Sequence, residues 1–93
     1  MELTGLLHVK YDTQTVSEKF AKRDFVIKTE IDTQYPQLVT LQLTQDKCSL
    51  VNDILPNEMI KCYINIQGRE WNGPQGVKYF NTINCWKIEK VNK

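Results

Sequence analysis

The 93-residue sequence holds one histidine and three cysteines, Cys48, Cys62 and Cys85, set far apart. No CxxC pair is present, so neither a thiolate zinc site nor a dithiol redox centre is encoded. An odd number of cysteines in apolar surroundings points to small buried hydrophobes rather than to disulfides. His8 falls on the polar side of an alternating stretch and has no sequence partner that would mark it as a general base. No two carboxylates occupy settings that would split their pKa values. No catalytic residue, metal ligand or cofactor site is therefore assigned, and a non-enzymatic protein is expected. Glycine is scarce too, with four residues. Gly68, Gly73 and Gly76 match neither the GxxxxGKS/T phosphate loop nor a dinucleotide fingerprint, and a hairpin turn accounts for them. No apolar run approaches the roughly 18–20 residues that cross a bilayer. Met1-Glu2-Leu3-Thr4-Gly5 lacks a basic segment leading into an apolar one, so no signal peptide and a cytoplasmic location are expected.

What is present is ordinary globular composition, 41% apolar and 25% charged. The length fits one domain spanning residues 1–93 and suffices for a modest core. The net charge of +1 is too small for binding driven by charge alone. Its distribution is uneven. Lys19, Lys22, Arg23 and Lys28 face a single anion, Asp24, in their stretch, whereas Glu30, Asp32, Asp46, Asp53 and Glu58 share theirs with Lys47 alone. One basic and one acidic side are expected.

Hydrophobic period two runs through most of the chain. Leu3, Gly5, Leu7, Val9 and Tyr11 alternate with polar neighbours in a first strand. Residues 17–23 break the pattern and read as a charged hairpin loop. Phe25, Ile27, Thr29 and Ile31 mark a second strand, Asp32 to Pro36 a turn, and Leu38 to Leu43 a third strand rich in β-formers. Asp46 is a good N-cap for a short helix whose apolar residues are Leu50, Val51, Ile54 and Leu55, ended by Pro56-Asn57. Ile60, Cys62, Ile64 and Ile66 alternate in a fourth strand, Gly73-Pro74-Gln75-Gly76 forms a turn, and Tyr79 to Lys90 is the fifth strand. Five strands with one short helix between the third and fourth is the layout of an all-β OB-fold barrel. Closure would remove the exposed sheet edges, and the helix would plug one end with Leu50 and Ile54. An SH3-like barrel uses a similar strand string but has no natural place for the helix.

The stretch Asn57 to Trp71, followed by Gly73-Pro74-Gln75-Gly76 and Lys78-Tyr79-Phe80, resembles bacterial single-stranded DNA-binding proteins. Arg69, Trp71, Gly76 and the Tyr79-Phe80 pair follow that family's order and spacing. The resemblance covers the last third of the chain well and the first half as a strand pattern. The third strand, Gln37 to Leu43, departs from it, since it has no aromatic residue where that family usually stacks bases. The whole chain is also similar to a small bacterial family known as a domain of unknown function with an OB-like pattern. The resemblance implies a single-strand binder, with DNA as partner ahead of RNA. One OB domain covers only about 4–16 nucleotides, so a homodimer or homotetramer is expected as the way to lengthen a weak site.

Single strands bind along a cationic groove whose aromatic rings stack bases, each worth about 1–3 kcal/mol. In an OB fold that groove crosses strands two and three, between the loops that join strands one to two and four to five. Lys22, Arg23, Phe25 and Lys28 lie on the first flank, and Arg69, Trp71, Lys78 and Tyr79 on the second. These eight are the candidate nucleic-acid-binding residues. Phe25 alternates in phase with Ile27, which equally suits the core. Trp86 is in register with Ile88 and reads as core, whereas Tyr63 shares a polar face and points outward. Two other functions stay open on the same residues. One is a protein-interaction or oligomerisation module without nucleic acid, which the near-neutral charge favours. The other is an oligosaccharide or small-ligand binder using Trp71 and Tyr79.

Overall fold

Alternation of apolar and polar residues suits a strand, which sends successive side chains to opposite faces. The computed structural model describes residues 1–91 and turns that pattern into β1 (Glu2–Lys10), β2 (Gln14–Ser17), β3 (Phe20–Thr29), β4 (Gln37–Thr44), β5 (Met59–Gly73) and β6 (Gly76–Lys90). The sheet runs β1-β5-β6-β4-β3-β2, and β1 also pairs with β3. A ring of β1, β5, β6, β4 and β3 is thereby closed. Its pairings are antiparallel apart from β4 with β6, which is parallel and rests on Gln42 opposite Asn84. This is the five-stranded OB barrel that the strand count implied, with β2 added outside the ring. No helix among the described residues is long and apolar enough to cross a membrane.

The inward-facing residues alternate as the pattern requires. Leu7, Phe25, Ile27, Leu41, Leu43, Ile60, Cys62, Ile64 and Cys85 fill the barrel. Cys48, Val51 and Ile54 close one end of it. All three cysteines are free and buried. Cys62 shares a hydrogen bond with Cys85, and that contact together with burial pushes its thiol well above the ordinary range. Both thiols are enclosed in the apolar core, where cysteine packs as a small hydrophobe.

Three features differ from the sequence expectation. The segment 17–23 is a hairpin, as expected, but its turn is confined to Glu18-Lys19 and the rest is strand. Ser17, Thr15 and Gln14 pair with Phe20, Ala21 and Lys22, and Lys22 to Asp24 pair again with Thr44 to Gln42. Backbone ladders on both sides hold these residues extended without any apolar alternation. The helix is a 3-10 helix, Gln45–Val51, with Thr44 rather than Asp46 at its N-cap. Cys48, Val51 and Ile54 recur every third residue, the period of a 3-10 turn, so they plug the barrel while Leu50 is half-buried and Leu55 is exposed. Trp86 is not core, being 44% exposed.

A cation secures the plug. Lys10 Nζ donates to the carbonyls of Val51, Asn52 and Ile54 at 3.0, 3.2 and 3.0 Å. These carbonyls stand at the end of the helix, where a cation is favoured. Gly5 permits β1 and β3 to touch, since a Cβ there would stand 2.5 Å from the carbonyl oxygen of Lys28. β5 and β6, each of 15 residues, outrun the barrel and project as a two-stranded arm. The molecule measures 50 × 35 × 20 Å in consequence.

Candidate functional site

Strand parity sorts the candidate residues by face. On β3, Phe25 and Ile27 point inward, so Lys22, Asp24, Val26 and Lys28 point outward. β4 matches it residue for residue, placing Thr44 and Gln42 beside Lys22 and Asp24. On the arm, partners across the ladder share a face. Trp71 is opposite Lys78, Arg69 opposite Phe80 and Gln67 opposite Thr82, and these six side chains lie on the outward side. Glu70 opposite Tyr79, and Asn72 opposite Val77, lie on the reverse side.

An open groove of about 480 Å³ lies where the two outward faces meet. Phe20, Lys22 and Gln42 form one wall, and Gln67, Arg69, Phe80 and Thr82 form the other, with Gly68 beside them. Two cations and two aromatic rings line it, and no carboxylate does. The ion pairs among the described residues join Lys61 to Glu2 and Lys90 to Glu58, so neither Lys22 nor Arg69 is neutralised by one. Trp71 continues the groove outward along the arm, 48% exposed. Its ring folds against Gly73, where a Cβ would run into it. Gly76, at φ 114°, supplies the turn conformation that brings β6 back beside it.

The wall that carries Phe20 and Lys22 is strapped down by Gln45. Its amide oxygen accepts from Ala21 N–H at 3.1 Å, and its amide nitrogen donates to the Lys19 carbonyl at 2.7 Å. Gln45 holds a left-handed φ of 55° to make this bridge. A residue other than glycine at such a φ is uncommon and marks a position fixed by its surroundings.

Of the eight residues predicted from sequence, Lys22, Arg69, Trp71 and Lys78 fall on one connected surface. Phe25 does not. It is fully buried, because alternation with Ile27 governs its direction, and it takes no part in any surface. Arg23 is occupied internally. Its Nε donates to the Tyr11 carbonyl at 2.6 Å, and one terminal nitrogen reaches the Cys48 carbonyl at 3.2 Å and Asn52 Oδ1 at 2.6 Å. Lys28 shares the outward face but lies six residues along β3 from Lys22, about 20 Å at about 3.3 Å per residue. Tyr79, 73% exposed, occupies the reverse face of the arm. Its neighbour Phe80 takes the groove position instead. Counting outward from the Pro74-Gln75 turn pairs Trp71 with Lys78 and Arg69 with Phe80, so the sequence did carry that signal. Phe20 gave none, having no apolar alternation around it.

A second open groove, of about 420 Å³, adjoins the first at Lys22 and is lined by Tyr11, Asp12, Gln14 and Asp24 as well. Its two carboxylates give it the opposite electrostatic character.

A family profile described as "Domain of unknown function (DUF3127)" matches residues 2–89. No curated protein matches the chain in sequence. Among solved structures, the mitochondrial single-stranded DNA binding protein of S. cerevisiae superposes with a TM-score of 0.75 at 7% identity, covering 98% of this chain and 92% of that one. The single-stranded DNA binding protein of Thermus aquaticus gives a TM-score of 0.71 at 17% identity, covering 98% of this chain and 48% of that one. At such identities the likeness concerns the fold, which is the OB fold of single-stranded DNA-binding proteins.

Proposed function

The chain belongs to the family described as domain of unknown function DUF3127, and from that premise we propose that it is a non-enzymatic module binding single-stranded nucleic acid. DNA is the first candidate. The reading rests on one observation: Lys22, Arg69, Phe20 and Phe80 converge on a groove without carboxylates, on the outward face of an OB barrel. Phosphates pair with the two cations, and bases stack on the rings and on Trp71. Gln42, Gln67 and Thr82 supply hydrogen-bonding groups between them. Residues 1–93 act as one binding domain in this reading.

Tryptophan fluorescence titrated with oligo-dT at low and moderate salt tests it, with duplex DNA as control. Saturable quenching by the single strand, weakened by salt, is the expected result. Lys22→Ala and Arg69→Ala should each lower the salt slope by about 0.7, the share of one phosphate on a single strand. Trp71→Ala should cost about 1–3 kcal/mol of affinity. Unchanged salt slopes in both cation variants would place the phosphates elsewhere.

A second reading has its own observation. The reverse face of the arm exposes Ile66, Val77 and Tyr79. A protein-interaction or self-association module would use that face, and it would leave the oligonucleotide titration flat.

A further inference from the structure

A regular antiparallel ladder gives every residue one opposite number. The β5–β6 ladder breaks this rule once, where Tyr63 pairs with Lys87 but Ile64 pairs with Cys85. Trp86 is the extra residue. A bulge sets two residues of one strand against one of the other, and such bulges re-aim side chains at functional surfaces. Here it turns both Trp86 and Lys87 towards Tyr63. The Tyr63 and Trp86 ring centroids lie 5.5 Å apart at 47°. Lys87 Nζ stands 5.2 Å from the Tyr63 centroid, and Lys61 Nζ 5.4 Å from it. The Tyr63 hydroxyl donates to the Glu89 carboxylate, which fixes the ring. The fold thus spends a ladder irregularity on keeping a large indole half in water.

That aromatic pair shares its face with the groove. Along the outward side of the arm and barrel, Trp71 and Lys78 are followed by Arg69 and Phe80, then Gln67 and Thr82, then Asn65 and Asn84, and then Tyr63. The strip carries aromatic rings at both ends and neutral hydrogen-bonding side chains between. From Trp71 to Tyr63 it runs about 26 Å, at about 3.3 Å per residue. Leaving the groove in the other direction, past Lys22, a polyanion meets Asp12 and Asp24.

Resting on the groove as a single-strand site, we propose that the bound strand runs down the outward face of β5 and β6 and stacks bases on a second subsite formed by Trp86 and Tyr63. Lys61 already pairs with Glu2 at 2.9 Å, and Glu89 adjoins Tyr63. This end is therefore close to neutral and binds by stacking rather than by phosphate neutralisation. The cationic end captures the strand and the aromatic end reads its length.

The protein's two tryptophans make the test direct. Trp71→Phe leaves Trp86 as the sole reporter, and Trp86→Phe leaves Trp71. Each is titrated with oligo-dT of about 4 and about 16 nucleotides, the limits for one OB domain. Trp71 emission should be quenched by both lengths, and Trp86 emission by the longer alone. Trp86→Ala should weaken the longer oligonucleotide roughly 5- to 150-fold, the loss of about one base stack, with its salt slope unchanged. If the longer strand quenches Trp71 and leaves Trp86 silent, the second subsite is wrong and the groove stands. If neither tryptophan responds, the groove itself is wrong. If Trp86 emission shifts with protein concentration in the absence of oligonucleotide, the surface serves a second copy of the chain, and the proposal is overturned.

Discussion

Lys22 and Phe25 stand three residues apart on one strand and do opposite work. The odd separation sends them to opposite faces, one into the groove and one into the core. Phe25→Ala should cost about 3–5 kcal/mol of stability, read from the urea midpoint, as large truncations in a packed core do. Lys22→Ala should shift that midpoint by no more than about 0.5 kcal/mol while lowering the salt slope of binding. An equal stability loss in both variants would contradict the assignment of faces. At this scale the sequence was informative where parity decided the matter. Phe25 in phase with Ile27 pointed to the core, and proximity to Lys22 and Arg23 pointed to the surface; parity prevailed. Arg23 could not be read, because its acceptors, the carbonyls of Tyr11 and Cys48 and the Asn52 side chain, come from segments that meet only in the folded chain.

The two least regular elements are the 3-10 plug and the long β5–β6 ribbon, and a carboxylate held below its usual range follows the first and another lies on the second. After the plug, Leu55 N–H donates to Glu58 at 2.9 Å and Lys90 lies 3.5 Å away, which together stabilise the carboxylate. On the ribbon, the Tyr63 hydroxyl lowers Glu89, and Glu89 in turn raises Tyr63. The depressed carboxylates contribute stability above the ordinary glutamate range, and that contribution disappears as pH falls through their folded values. Tyr63 acts in the opposite sense, contributing below the ordinary tyrosine value and losing it as pH rises through its raised one. A thermal midpoint followed against pH should therefore lose height on both flanks, and Glu89→Gln should flatten both. A variant with the wild-type acid flank would show that the pair contributes nothing measurable. The ribbon's turn and alternation were legible in sequence, but its bulge was not, since one additional residue leaves no mark in an apolar pattern. The plug was legible as a helix and misread as to kind, because Leu50 and Leu55 mask the three-residue period of Cys48, Val51 and Ile54.

For the molecule as a whole, strand count and helix position were enough to imply the OB barrel, because each follows from local pattern. Ring closure was not legible, since it depends on strands far apart in sequence. It also proves the narrowest part of the structure. The ladder between β4 and β6 consists of the Gln42–Asn84 pair, whereas β3 and β4 pair from Lys22 to Thr29. The groove lies over this junction, with Lys22 and Gln42 on one side and Gln67, Arg69, Phe80 and Thr82 on the other. Saturating single strand should slow amide exchange around Gln42 and Asn84 more than in β1. At a concentration of about 100 times Kd it should add about 2.7 kcal/mol to global stability. Uniform protection across the sheet would argue that the ligand does not bridge the two sides. In mechanical terms the barrel is a hoop with one thin weld, and a strand bound as proposed would lie across that weld as a clasp, fastening the joint most ready to spring open.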